Sequence, residues 1–253
     1  MKTLFETKNN ILSVFFTAGF PKLNDTVEII QELEKNGVDM IEIGIPFSDP
    51  LADGPVIQQS SQQAIENGMT MKILFEQLKD IRKTVKIPLI LMGYLNNVMQ
   101  FGFENFCKKC KEIGIDGVIL PDLPLDEYND NFKSMFEKYN LKNILLITPQ
   151  TSEERIKRID NANCGFIYMV SSSSTTGKTQ GFAPEQIAYF ERVKNMNLKT
   201  PRVIGFGIST QETFNQACEF ANGAIIGSAF VKTISGSENH GETIREFVNK
   251  IRK

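Results

Sequence analysis

Eight short apolar runs recur along the chain, and segments with helical periodicity separate them. Each run is rich in Ile, Val, Leu or Phe and is bounded by Gly, Pro or Asp, which is typical of buried parallel strands. The runs begin at Ile11, Met40, Ile87, Asp116, Asn143, Gly165, Arg202 and Gly223. This alternation of strands and helices predicts a (β/α)8 TIM barrel, formed as one domain over residues 1–253. A doubly wound open sheet is the alternative.

The segments between the runs also indicate where helices begin and end. In "NDTVEIIQELEKNG" an apolar stripe follows helical spacing, Asn24 or Asp25 is the expected cap, and Gly37 is expected to end the helix. Thr210 is the expected cap of "TQETFNQACEFANG". These signals place helices directly after the first and the seventh strand.

Charge and hydropathy argue against two classes of protein. The 28 Lys and Arg against 30 Asp and Glu give a net charge of −2, and no basic cluster is dense enough for a nucleic-acid footprint. No apolar run approaches the ~20 residues that a membrane-spanning helix needs. The N-terminal "MKTLFETKNN" is too polar for a signal peptide, so we expect a cytoplasmic protein.

The four cysteines and the single histidine suggest no chemistry. Cys107 and Cys110 form a C-x-x-C, but the second pair that a zinc site needs is missing. We interpret them as small buried thiols of a helix, with a thioredoxin-like redox motif as the alternative. His240 lies in a polar C-terminal stretch and is expected to be solvated, which argues against a histidine-based mechanism.

One strand carries an ionisable residue in an apolar setting. In "MIEIGI" the side chains alternate between two faces, so Ile41 and Ile43 share the face that the helices cover. Glu42 then points into the barrel near the carboxyl end of the strand, where such barrels place their active sites. A buried carboxylate is costly unless it is partnered or functional, so Glu42 is a candidate acid–base, with a satisfied core glutamate as the alternative.

A long connection follows this strand. The stretch "PFSDPLADGP" contains three prolines and exceeds the usual βα loop of about 2–6 residues. It carries Asp49 and Asp53, either of which could instead make only local turn hydrogen bonds. Loops of this length at the carboxyl end of a barrel are commonly functional.

Three polar or glycine-rich stretches follow the later strands. "SSSSTTGKTQG" after strand six reads as a lid or as a plain flexible loop. "GFGIS" and "GSAF" follow strands seven and eight, where barrels of this type often bind a phosphate through backbone N–H groups. From the residues alone we expect a barrel enzyme for a small phosphorylated substrate, using carboxylate acid–base chemistry and no metal. The residues alone do not identify the substrate.

The motifs in their order resemble a known family. "EIGIPFSDPLADGPVIQ" closely resembles the signature of the tryptophan synthase α subunit. "FFTAGFP", "LMGYLN", "PDLP", "GFIYMVS", "GFGIS" and "IIGSAFV" occur in that family's order with similar spacing, so the resemblance covers essentially the entire chain.

The resemblance implies an activity and a partner. The family has the (β/α)8 fold and cleaves indole-3-glycerol phosphate to indole and glyceraldehyde 3-phosphate by a retro-aldol reaction. It works with a β subunit that carries pyridoxal phosphate, usually as an αββα assembly, and the indole passes through a tunnel to that subunit. The α chain itself is expected to hold no cofactor and no metal.

The resemblance also assigns roles to residues by position. Glu42 matches the catalytic acid–base and Asp53 the second catalytic acid, which contacts the indole N–H. Asp49 matches a loop residue at the β-subunit interface, and Thr176 a lid threonine that contacts the catalytic aspartate. The residues that match the substrate pocket are Phe15, Leu91, Tyr168, Thr176 and Phe206. Those that match the phosphate site are Gly177, Gly207, Gly227 and Ser228.

The chain departs from the family pattern in its lid, and other functions stay open. Ser174 and Thr175 replace a glycine and an apolar residue, so lid closure and signalling to the β subunit are expected to differ. The alternatives are another phosphosugar barrel such as an isomerase, a non-catalytic subunit that only gates a β partner, and a stand-alone lyase.

Overall fold

Eight parallel strands close into a barrel in chain order, with β8 pairing back to β1. The structure is a computed structural model and describes residues 1–51, 53–162, 164–171 and 181–253. The strands are β1 Ile11–Thr17, β2 Met40–Gly44, β3 Leu89–Met92, β4 Gly117–Ile119, β5 Lys142–Ile147, β6 Ile167–Val170, β7 Arg202–Gly205 and β8 Gly223–Ile226. The predicted barrel is confirmed, and the open sheet is excluded because no strand edge is left free at β1 or β8.

Helices precede the barrel and connect its strands. The α-helices are α1 Lys2–Thr7, α2 Thr26–Lys35, α3 Pro55–Glu66, α4 Met71–Leu78, α5 Leu95–Phe101, α6 Phe103–Ile113, α7 Leu125–Glu127, α8 Lys133–Lys138, α9 Glu153–Asp160, α10 Pro184–Asn195, α11 Gln211–Phe220, α12 Ser228–Ile234 and α13 His240–Arg252. A 3₁₀ turn spans Ile81–Lys83, and a π-helical stretch, Tyr128–Phe132, joins α7 to α8. Across the described ranges, no helix is both long and apolar enough to cross a membrane.

Strand alternation divides the apolar residues into two cores. Ile41, Ile43 and their counterparts on other strands face the helices, as predicted. The inner core lies inside the barrel and consists of Met40, Ile90, Ile119, Ile144, Phe166, Tyr168, Val203 and Ile225. Glu42 shares the inward face of β2 with Met40, so the predicted orientation of Glu42 is confirmed.

All three expected helix signals fall at the expected residues, but one of them makes no capping hydrogen bond. The Thr210 hydroxyl accepts a hydrogen bond from the Thr213 N–H at 3.2 Å, and Gly37 adopts a φ of 90° just after α2. Asp25 is the N-cap residue of α2, but its carboxylate makes no capping hydrogen bond. The carboxylate accepts a hydrogen bond from the Lys22 N–H at 3.1 Å and lies 3.0 Å from Nε2 of His240.

The expectation of a solvated His240 is wrong. The residue is only 6% exposed, since α13 packs against α2 and carries the imidazole onto Asp25. The two thiols of the C-x-x-C are buried on α6, as interpreted. Burial raises the pKa of Cys107 to about 12, which keeps this thiol protonated and unreactive.

The amino-terminal end of the barrel is closed. Met1, Leu4 and Phe5 of the N-terminal segment pack against the inner core, and the Phe5 and Phe166 ring centroids are 5.9 Å apart. The open end is therefore the carboxyl end of the strands, where the long β2–α3 loop lies.

Asp39 joins three chain segments beside this closed end. Its carboxylate accepts a hydrogen bond from the Leu12 N–H at 2.8 Å and forms ion pairs with Lys8 and Arg252. The Asp39 side chain is only 5% exposed, so these partners offset the cost of burying its charge.

We expect Asp39→Asn to lower the free energy of unfolding by about 2–4 kcal/mol, because it leaves Arg252 without its anion and weakens the bond to Leu12. Urea unfolding followed by far-UV circular dichroism measures this change. The matched control is Asp126→Asn, which breaks an ion pair to Arg158 between two well-exposed side chains and should change little. Equal effects of the two substitutions would contradict the role given to Asp39.

Candidate active site

Glu42 lies on the inward face of β2 and is fully buried. Its Oε1 accepts a hydrogen bond from the Ser13 hydroxyl at 2.9 Å, and Oε2 has no hydrogen-bond partner. Two cavities open at the carboxyl end of the barrel, and Glu42 lines neither of them. The carboxyl group therefore lies beneath the cavity floor.

Burial shifts the ionisation of this carboxyl group strongly. Loss of hydration raises the pKa of Glu42 to about 8, and the hydrogen bond from Ser13 opposes that rise. A carboxyl group with this pKa is mostly protonated at pH 7 and can lose its proton at little cost. That is the property that a residue acting first as an acid and then as a base requires.

Asp53 lies on the β2–α3 loop and lines both cavities. The Tyr94 hydroxyl donates a hydrogen bond to its Oδ2 at 3.2 Å. Burial raises the pKa of Asp53, and the bond from Tyr94 opposes the rise. The two carboxyl groups thus sit in different settings, one sealed in the core and one facing the cavity.

The turn between β3 and α5 fixes the loop that carries Asp53. The Tyr94 ring packs on Phe47 at the start of the loop, with ring centroids 4.8 Å apart, while its hydroxyl reaches Asp53 near the end. Asn97 donates a hydrogen bond to the Pro46 carbonyl at 3.1 Å. Tyr94 was not among the residues predicted from the sequence, although it lies inside the quoted "LMGYLN".

Tyr168 lies on the inward face of β6 and is 4% exposed. Burial raises the pKa of Tyr168 well above its usual value, and the negative charges of Glu42 and Asp53 add to the rise. A glycine on the neighbouring strand makes room for the phenol, because a Cβ at Gly205 would lie 2.2 Å from Oη. Tyr168 therefore lies near both carboxyl groups as a neutral phenol.

Two adjoining cavities open at the carboxyl end of the barrel, with volumes of about 1330 and 210 Å³. Five residues line both of them, namely Phe15, Asp53, Ile57, Met92 and Phe206. The wall of the smaller cavity is mainly apolar and includes Thr17, Ile45, Leu146 and Val170. A mainly apolar wall of this kind suits a flat aromatic ring.

The prediction that Leu91 lines the pocket is wrong. Leu91 lies in the core between barrel and helices, and its neighbour Met92 faces the cavities. Side chains alternate along a strand, so an error of one residue moves the assigned position to the opposite face.

The larger cavity extends to the turns after β7 and β8. Gly207, Gly227 and Ser228 line it, and Gly207 has a φ of 75°. Lys232 lines it too, and is the one lysine or arginine among the described residues that line either cavity. Lys232 follows Ser228 by one helical turn, so both side chains lie on the same face of α12.

Part of the predicted site lies outside the described residues. This applies to Thr176 and Gly177, and to the lid positions Ser174 and Thr175. Ser171, where the segment begins, is held by a hydrogen bond from its hydroxyl to the Phe206 carbonyl at 2.7 Å. In the part of the chain that the structure describes, no group of three His, Cys, Asp or Glu could hold a metal ion.

Asp49 lies on the exposed part of the β2–α3 loop and lines neither cavity. Its carboxylate accepts a hydrogen bond from the Ser48 hydroxyl. Leu51, two residues further, is 91% exposed, and Met99 on α5 is 51% exposed. Among the described residues these are the two large apolar side chains left to solvent.

Comparison with known proteins gives one consistent result. A family model described as "Tryptophan synthase alpha chain" matches residues 1–253. The tryptophan synthase alpha chain of Flavobacterium johnsoniae is 64% identical over 242 residues, which are 96% of this chain and 95% of the relative. That of Bacteroides fragilis is 57% identical over 95% of this chain and 92% of the relative.

Solved structures agree with these sequence relatives. The tryptophan synthase alpha chain of Legionella pneumophila superposes with a TM-score of 0.88 at 34% identity, covering 99% of this chain and 95% of the other. A chain of the tryptophan synthase complex from Pyrococcus furiosus superposes with a TM-score of 0.88 at 31% identity, covering 97% and 98%.

The raised pKa of Glu42 predicts a pH-dependent stability. The folded chain binds this proton more tightly than the unfolded chain does, so stability is full below the ordinary glutamate value of 4.5 and is lost as pH rises towards about 8. The free energy of unfolding of Glu42→Gln, relative to that of the wild type, should therefore rise by about 3 kcal/mol between pH 4.5 and pH 7.

Urea unfolding at several pH values between 4.5 and 8 measures this difference. Far-UV circular dichroism is the suitable signal, because the chain contains no Trp. Glu246→Gln, on the exposed face of α13, is the control and should follow the wild type throughout. Curves for Glu42→Gln and the wild type that stay parallel would show that the Glu42 carboxyl is not held protonated.

Proposed function

Because this chain belongs to the tryptophan synthase alpha chain family, we propose that Glu42 and Asp53 carry out its lyase reaction. That reaction is the retro-aldol cleavage of indole-3-glycerol phosphate to indole and D-glyceraldehyde 3-phosphate, and the indole is passed to the beta subunit for tryptophan synthesis. The observation that carries the assignment is the fully buried Glu42 carboxyl, with its pKa raised to about 8, beneath an aromatic-lined cavity.

Glu42 has the properties that the two proton transfers demand. Cleavage requires a proton at C3 of the indole ring and the loss of a proton from the glycerol hydroxyl next to the ring. The bond between the ring and the side chain then breaks, its electron pair returns to the ring, and an aldehyde forms. Glu42 delivers the first proton and accepts the second, so it ends the cycle as it began.

Asp53 and Tyr168 complete the reacting end of the site. Protonation at C3 develops positive charge at the ring nitrogen, and a carboxylate hydrogen-bonded to the N–H stabilises that charge. Asp53 lines both cavities and is held by Tyr94, which supports this role. Tyr168, with Phe15 and Phe206, forms the wall against which the ring lies.

The phosphate is proposed to bind at the other end of the larger cavity. Gly207, Gly227 and Ser228 offer backbone N–H groups and a hydroxyl there, and Lys232 adds a positive charge. Gly177 and Thr176 are assigned to the phosphate site and the lid from the family resemblance alone.

The partner is proposed to be a tryptophan synthase beta subunit, in an α2β2 assembly. A structural neighbour from Pyrococcus furiosus was solved as a tryptophan synthase complex. Asp49 and the exposed Leu51 and Met99 lie at the open end of this barrel, where a partner would receive the indole. Pyridoxal phosphate belongs to the beta subunit, and we propose that residues 1–253 act as one cytoplasmic domain without a cofactor.

Indole release from indole-3-glycerol phosphate, by the chain alone and with a beta subunit, tests the function. Slow turnover that rises strongly with the beta subunit is expected. Fast turnover that is unchanged by the beta subunit would favour a stand-alone lyase. No turnover in either condition would contradict the catalytic assignment. It would favour the alternative of a non-catalytic subunit that only gates a beta partner.

Substitution of the two acids should lower turnover rather than binding. We expect Glu42→Gln and Asp53→Asn each to lower kcat by about 10²–10⁴-fold, because each removes an interaction made mainly in the transition state. The KM should change only a few-fold. Glu246→Gln is again the control. A rise in KM with an unchanged kcat would contradict the assignment.

Lys232→Gln should weaken substrate binding by about tenfold, which corresponds to ~1.4 kcal/mol, because one charge-assisted contact to the phosphate is lost. Steady-state kinetics at low and high salt measure the effect in KM. Lys232→Arg keeps the charge and should restore most of it, while Lys250→Gln on α13 controls for net charge. An unchanged KM would remove Lys232 from the phosphate site.

A further inference from the structure

Ser13 is a polar residue inside the apolar barrel interior. Its side chain is fully buried, and its neighbours in register are Met40 on β2 and Ile225 on β8. A hydroxyl in such a place is costly unless it is hydrogen-bonded. Among the described residues, its one hydrogen-bond partner is the Glu42 carboxyl at 2.9 Å.

The direction of this hydrogen bond follows from the strand register. Ser13 pairs with Met40, two residues before Glu42, whereas Glu42 itself pairs with Phe15. The bond to Ser13 therefore draws the carboxyl group towards the closed, amino-terminal end of the barrel. The cavities lie the other way, and Phe15 is part of their lining.

The carboxyl group must travel from this position to act on a substrate. Glu42 is fully buried and lines neither cavity, so in the observed orientation its carboxyl group does not face a molecule bound there. Its second oxygen, Oε2, makes no hydrogen bond, which leaves Ser13 as the one polar contact in the described structure that holds the group down.

We propose that Ser13 is a positioning residue that holds Glu42 in a resting orientation below the cavity, and that Glu42 reaches the reacting atoms by releasing this hydrogen bond. The inference rests on the proposed catalytic role of Glu42. It adds a step before proton transfer in which the hydroxyl competes with the substrate for the carboxyl group.

A purely structural role for Ser13 predicts something different. If the hydroxyl only filled space, its removal would change stability and leave the catalytic pH profile where it was. A resting partner instead affects kcat and the ionisation of Glu42 together, because the same bond sets both the orientation and the charge of the group.

The kinetic test compares Ser13→Ala with Ser13→Thr, which keeps the hydroxyl. Ser13→Ala should raise kcat by about 3- to 10-fold with an unchanged KM, as expected for loss of one neutral hydrogen bond in the resting state. Because the bond lowers the pKa of Glu42, its loss should also shift the basic limb of the kcat profile to higher pH. Ser13→Thr should restore both to the wild-type values.

A lower kcat in Ser13→Ala, or an unchanged kcat and basic limb, would overturn the proposal. Glu42→Gln is measured in parallel, because its loss of activity tests the proposed function separately. Far-UV circular dichroism establishes that each variant is folded.

A second measurement does not depend on turnover. Carbon-13 NMR of protein labelled at glutamate side-chain carboxyls reports the titration of Glu42, which is assigned by its absence in Glu42→Gln. The titration midpoint should move to higher pH in Ser13→Ala and stay in place in Ser13→Thr. Identical midpoints in all three would overturn the proposal even if the wild type proved to have no lyase activity.

Discussion

The burial of one carboxyl group inside an apolar barrel is the constraint on which the site depends. Glu42 is surrounded by the inner core, and a single hydroxyl is its hydrogen-bond partner among the described residues. Water cannot solvate the charged form there, so the proton stays on the carboxyl group up to about pH 8. The same burial lowers stability at neutral pH and, in the proposed mechanism, supplies the proton donor.

The two ends of the barrel have different tasks. The N-terminal segment packs against the inner core at the amino-terminal end, and the Asp39 ion pairs join chain segments beside it. At the carboxyl end the contacts hold loops in place around a cavity. Tyr94 ties Asp53 to the start of its own loop, and the Asp122 carboxylate accepts hydrogen bonds from the Leu95 N–H at 2.9 and 3.0 Å beside it. The proposed catalytic acid, Glu42, thus lies between a closed barrel end and loops that described hydrogen bonds hold in place.

The sequence was informative wherever local periodicity decides the structure. Two-residue alternation on β2 was enough to place Glu42 inside the barrel, because a buried strand has only two faces. The same rule explains the error at Leu91, since the assigned position was one residue from Met92 and therefore on the wrong face. The prediction that His240 is solvated was wrong for another reason. Its burial depends on α13 meeting α2 across more than two hundred residues, which no local pattern contains.

The residues that support the acids were harder to find than the acids themselves. Ser13 and Tyr94 contact Glu42 and Asp53 from separate strands and loops, and residues of these types are common at any position. A serine on the inward face of an apolar strand was the one available signal. Its meaning appears only when the register sets it below Glu42.

Infrared spectroscopy of the Glu42 carboxyl tests the central claim most directly. At pH 7 the folded wild type should show the carbonyl stretch of a protonated, poorly solvated carboxylic acid, which should be absent in Glu42→Gln and fade as pH rises through about 8. That result would place the proton where the reaction needs it. If the wild type lacked this carboxylic-acid band across the pH range, as Glu42→Gln does, Glu42 would be ionised and the account would be contradicted.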